Sequence, residues 1–110
     1  MLKDDSVYID HILECISKIK HYCNSVDLQE FNKNTMLQDA VIRNIEIIGK
    51  ASKKISATFR NNNKHVPWRE IAGMRDKLIH DYFGVDIDVV WKTVIQDIPL
   101  LEDLILHLNN

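Results

Sequence analysis

Apolar residues recur at helical spacing along most of the chain. Ile9, Ile12, Leu13, Ile16 and Ile19 repeat every three or four positions and predict a helix from about Asp5 to Cys23, capped by Asp5 or Ser6. Asn24-Ser25 breaks it, and a short helical turn over Asp27–Phe31 leads to Asn34, a good N-cap. The second stripe, Leu37, Val41, Ile45, Ile48, Ala51, Ile55 and Phe59, predicts one long helix that Asn61-Asn62-Asn63-Lys64-His65 ends as an exposed loop. Pro67 suits the first position of a third helix with Trp68, Ile71, Met74 and Leu78 inside, and Gly84 suits its C′ position. Asp86 or Asp88 opens a fourth, whose stripe of Val90, Trp91, Val94, Ile98, Leu101, Ile105 and Leu108 contains Pro99. There the missing N–H should kink the helix.

Three Gly, two Pro, long apolar-periodic stretches and few β-branched runs bounded by turns favour an all-α chain, and 110 residues suit one domain, 1–110, of about four helices. Cys15 and Cys23 lie roughly 12 Å apart along one helix, too far to bridge, and read as free thiols of a reducing compartment. No leader pattern and no run near the roughly 20 apolar residues of a membrane span is visible, so a cytoplasmic location is expected. Net charge is −2 and argues against a generic nucleic-acid binder, but it is unevenly spread. Residues 43–77 hold nine Lys/Arg against three Asp/Glu, and both flanks are acidic. That distribution suits either an anionic substrate drawn to the middle segment or an ordinary solvated face.

The basic segment ends in Arg75-Asp-Lys-Leu-Ile-His80-Asp-Tyr82. Arginine presents a fixed fork of donors to a phosphoryl group, histidine exchanges protons near neutral pH, and tyrosine supplies a modifiable hydroxyl. On an ideal α-helix Arg75 and His80 would point about 140° apart. Either the helix loosens, or the groups meet across two chains. Arg75 could equally pair with Asp76, Glu70 or Asp81 on the surface, His80 could simply favour helix-end carbonyls, and Tyr82 could pack its ring. The five histidines share no ligand spacing and no Cys-x-x-Cys occurs, so no metal or other cofactor is expected.

Arg75-x-x-x-x-His80-x-Tyr82 resembles the signature of HepT-like proteins in the HEPN superfamily. Gln38–Gly49, Val66–Arg75 and Val90–Leu100 resemble that family's helix signatures in order, over roughly residues 5–108. One departure stands out: Lys50 occupies a position where the family commonly has an acid, and Glu46, one turn earlier, is the carboxylate that could replace it. The resemblance implies an up-and-down four-helix bundle, paired as a homodimer with two motifs facing each other across a cleft. It further implies the toxin of a toxin–antitoxin pair, a metal-independent ribonuclease acting on RNA, with an MntA-type nucleotidyltransferase as antitoxin. Arg75 and His80 would be catalytic, Tyr82 the acceptor of AMP, and Asp76, Lys77 and Arg43 substrate-binding or supporting. The alternative is a non-catalytic helical subunit that holds nucleotide or acceptor for such a nucleotidyltransferase.

Overall fold

The first apolar stripe forms helix α1, Lys3–Tyr22, with Ile12, Ile16 and Ile19 fully buried. The computed structural model describes residues 3–78 and 84–108. After α1 the chain turns through Ser25 at φ 61° into α2, Leu28–Lys33, whose cap Asp27 accepts from the Glu30 N–H at 2.8 Å. Asn34 caps α3, Thr35–Lys54, as its spacing predicts, accepting from the Leu37 N–H at 3.0 Å. Gln38, at the start of α3, ties α2 to it by donating to the Phe31 carbonyl at 2.8 Å. Helix α1 lies along α3, and Val41, Ile45 and Ile48 meet the α1 stripe in the main core.

The second long helix is not continuous. It stops at Lys54, passes through extended Ile55 and Ser56, and restarts as α4, Ala57–Asn62. Asp5 is the reason. It lies inside the first turn of α1 rather than capping it, is 2 % exposed, and reaches Ser56, whose N–H and hydroxyl donate to its two oxygens at 2.7 and 2.8 Å. Ser56 in turn caps α4 by accepting from the Phe59 N–H at 3.2 Å. Ile55 and Phe59 stay buried on either side of the break, so apolar spacing alone gives no sign of it.

The asparagine loop also departs from its expected exposure. Asn61 and Asn62 belong to α4, and Asn63 is fully buried, donating to the Phe59 carbonyl at 3.0 Å while its own carbonyl accepts from Trp68 Nε1 at 3.0 Å. The third helix is short. Pro67 is the residue before it, α5 covers Trp68–Ala72, and after Gly73 the chain tightens into a 3₁₀-helix over Met74–Leu78. The two sides of the 79–83 stretch are joined where the Asp86 N–H donates to the Leu78 carbonyl at 2.8 Å, and Gly84 has φ 82°, a conformation a side chain would strain.

Asp86 caps α6, Ile87–Lys92. A π turn over Thr93–Asp97 precedes α7, Ile98–Leu106, in which Pro99 occupies the second position. The disturbance expected at Pro99 thus takes the form of a widened turn, which leaves room for the ring where an α-helical bond to Ile95 would have been. Among the described residues the ordered elements are all helical, and no helix is long and apolar enough to cross a membrane. Cys15 and Cys23 are free thiols, and burial pushes both up from the ordinary thiol value; at Cys15 Lys18 opposes and Glu14 adds to that shift.

Candidate functional site

Arg75 is carried on the 3₁₀-helix, so the 100° rule for an α-helix does not apply at its position. With three residues per turn, Met74 and Lys77 stack on one edge and Arg75 is turned away from them. The α-helix thus ends at Gly73 and gives way to the tighter 3₁₀ turn before the motif begins. Arg75 faces α3, where its Nε lies 3.4 Å from Glu46 Oε1; the side chains are 47 % and 24 % exposed. Its Nη1 lies 4.0 Å from Asp76 Oδ1, beyond hydrogen-bonding distance, and Asp76 is largely in solvent. Glu46 thus lies on the Nε side of the guanidinium, and the Arg75 side chain is about half-exposed, so a phosphoryl group could be taken by its terminal nitrogens.

The cleft around this pair has a volume of about 330 Å³ and is lined by Glu46, Gly49, Lys50, Lys53, Ala72, Arg75 and Asp76. Gly49 sets its depth. A Cβ there would stand 3.1 Å from the Ala72 carbonyl oxygen, so the bare backbone lets the end of α5, and Arg75 just beyond it, approach α3 closely. Three cations, Lys50, Lys53 and Arg75, face two carboxylates, which makes the cleft a place for an anion.

The other expected site residues are divided. Asp76 shares the cleft with Arg75, but Arg43 lines a neighbouring one of about 200 Å³ with Tyr8, His11 and Lys54, which Lys50 also borders. Lys77 faces away, beside Met74, Asp97 and Leu100 toward α7. His80 and Tyr82 lie outside the described residues. Lys50 and Lys53 were not singled out as cleft residues by the sequence, although they follow Glu46 at i+4 and i+7 and so share its stripe on α3. Glu46, one turn before Lys50, is the carboxylate that stands beside Arg75. Among the described residues no three His, Cys, Asp or Glu side chains converge as metal ligands would.

The family model described as "Ribonuclease HepT-like" matches residues 12–108. Similar proteins include "Probable ribonuclease HepT" of Thermococcus cleftensis, 46 % identical over 93 % of this chain and 93 % of its own length, and "Putative RNase TTE0752" of Caldanaerobacter subterraneus, 42 % identical over 92 % and 90 %. "Gamma-glutamylcyclotransferase and putative RNase MJ0434" of Methanocaldococcus jannaschii is 47 % identical over 98 % of this chain, which spans only 49 % of that protein. No solved structure matches the chain.

Proposed function

The chain belongs to the HepT-like ribonuclease family, and from that premise we propose that it is the ribonuclease toxin of a toxin–antitoxin pair. The observation that carries this reading is Arg75 held by Glu46 over a cleft that Lys50 and Lys53 make cationic, the arrangement a scissile phosphate needs. In the proposed reaction His80 takes the proton of a ribose 2′-OH, whose oxygen attacks phosphorus. A protonated imidazole, from the same residue of a second copy or after exchange, returns a proton to the departing 5′-oxygen. Arg75 neutralises the charge that grows on the non-bridging oxygens. The products are a 2′,3′-cyclic phosphate and a 5′-hydroxyl, and no metal ion takes part.

The reading includes one domain over 1–110, folded as an up-and-down four-helix bundle and working in the cytoplasm as a homodimer. Exposed Ile95, Leu100 and Leu106, the last 65 % exposed, supply apolar surface for pairing. It also includes control by an MntA-type nucleotidyltransferase that transfers AMP to Tyr82, placing negative charge beside Arg75 and repelling substrate.

Incubation of purified RNA with the protein in chelator, beside Arg75→Ala and His80→Ala, tests the proposal. Cleavage that leaves cyclic-phosphate ends and is lost in both variants is the expected result. Products ending in 3′-hydroxyl, or loss of cleavage in chelator, would overturn the mechanism. The placement of Lys50 and Lys53 on the cleft wall also suits the alternative, a subunit that clamps phosphate without breaking a bond. Growth arrest on expression of this chain alone separates the two, since only a toxin produces it.

A further inference from the structure

Beside the Arg75 cleft runs a second, larger groove of about 680 Å³ between α4, the 63–67 connection and the start of α5. Its wall carries Lys53, Arg60, Lys64 and Arg69 against one carboxylate, Glu70. Among the described residues none of these four cations has a carboxylate partner within 4.0 Å, unlike Lys18, Lys20 and Arg75. Arg60 is half-buried, and its Nε, shut off from solvent, has no hydrogen-bond acceptor among the described residues.

The groove is built rather than incidental. Buried Asn63 links the end of α4 to Trp68 through two 3.0 Å hydrogen bonds, and the Phe59 and Trp68 rings meet edge-on at 6.2 Å beneath it. Asp5 and Ser56 fix where α4 starts, and therefore where Arg60 stands one turn later. The cations are mounted on a frame that needs little ordering before it binds. Lys53 and Ala72 line both this groove and the Arg75 cleft, so the two form one path of positive charge.

We propose that this groove binds the phosphate backbone of the RNA strand flanking the bond that is cut, with Arg60, Lys64 and Arg69 as phosphate ligands. This rests on the ribonuclease reading above. A polyanion fits better than a protein surface, because the accessible wall is cationic, whereas the centre of a protein interface is depleted of charge and rich in aromatic anchors. Its aromatic residue, Trp68, is buried and satisfied, so the groove offers no platform for a base. Contacts there are to phosphate and are indifferent to sequence.

The test is fluorescence anisotropy of a single-stranded 2′-O-methyl oligoribonucleotide, which cannot be cleaved, titrated with the full chain at several salt concentrations. Lys64→Gln/Arg69→Gln removes two exposed cations without touching the core, and Arg60→Gln added to it removes the third. The salt slope of log Kobs should fall by about 1.4 in the double variant and about 2 in the triple, at about 0.7 per lost phosphate contact on a single strand. The loss should be equal for oligonucleotides of different sequence. Cleavage of the matching 2′-hydroxyl RNA is followed in parallel. Wild-type cleavage with an unchanged slope in the double variant overturns the groove alone. A reduced slope without wild-type cleavage overturns the ribonuclease reading and keeps the groove. No wild-type binding overturns both, and unchanged RNA binding with lost association to an acidic protein partner assigns the groove to that protein instead.

Discussion

Asp5→Ala should destabilise the protein by about 3 kcal/mol, although Asp5 lies in the first turn of α1. The side chain is buried, and two short hydrogen bonds, at 2.7 and 2.8 Å, join it to Ser56 fifty-one positions away. A hydrogen bond to a carboxylate contributes roughly 1.5–3 kcal/mol. The Ser56 hydroxyl is half-buried and regains water in part, so the stranded Ser56 N–H dominates the loss. For a domain of this size about 3 kcal/mol lowers Tm by roughly 10–15 °C. Urea unfolding followed by circular dichroism should show a lower midpoint with an unchanged slope. Asp5→Asn keeps an acceptor for the Ser56 N–H and should lose about half as much. Ser56→Ala removes the hydroxyl that caps α4 as well, at a cost of about 1–2 kcal/mol. Because both residues share one interaction, their effects should fall short of additivity by about 1 kcal/mol or more. A loss under about 0.5 kcal/mol for Asp5→Ala, or strict additivity with Ser56→Ala, would refute the view that this link holds the α3–α4 break in place.

Arg75→Ala should lower RNA cleavage by roughly 10²–10³-fold, the scale of one lost oxyanion donor, and Arg75→Lys should recover little because an ammonium cannot pair with Glu46 and phosphate in one plane. Glu46→Gln should reduce cleavage less, by roughly tenfold, while leaving stability within about 1 kcal/mol of wild type, since the pair is partly exposed; single-turnover kinetics and thermal melts check both. Ile45→Ala and Ile48→Ala, both fully buried between α3 and its neighbours, should each cost about 2–5 kcal/mol in urea titration. The raised thiols of Cys15 and Cys23 give a pH dependence of known sign: the unfolded chain ionises first, so the stability they contribute is intact below about pH 8.5 and is lost as pH rises through their higher folded values. Urea midpoints measured between pH 7 and 10 should fall in the wild type and fall less in Cys15→Ser/Cys23→Ser.

The sequence by itself determined the helical class and the buried stripes, because apolar period and caps are local properties of the chain. Asn34 caps α3, the chain leaves α1 just before Asn24 and Ser25, and Ile12, Ile45, Ile71 and Ile98 point inward as their spacing requires. It also placed Arg75 at the end of a basic segment and set Glu46 one turn before Lys50. What only the tertiary structure decided was where periodicity yields to a long-range partner. Asp5 crosses from α1 to stop α3 at Lys54, Trp68 draws Asn63 out of solvent, and Gly49 lets α5 come close enough for Arg75 to meet Glu46. Neither partner in such a pair carries a local signal, since a carboxylate in a first turn or a third asparagine in a row has ordinary local uses. The same holds for the basic groove. Lys53, Arg60, Lys64 and Arg69 are scattered over seventeen positions of sequence, and only the break at Ser56 and the turn at Asn63 bring them to one wall. Charge in a segment is a fact of composition, whereas charge in a groove depends on where the backbone turns.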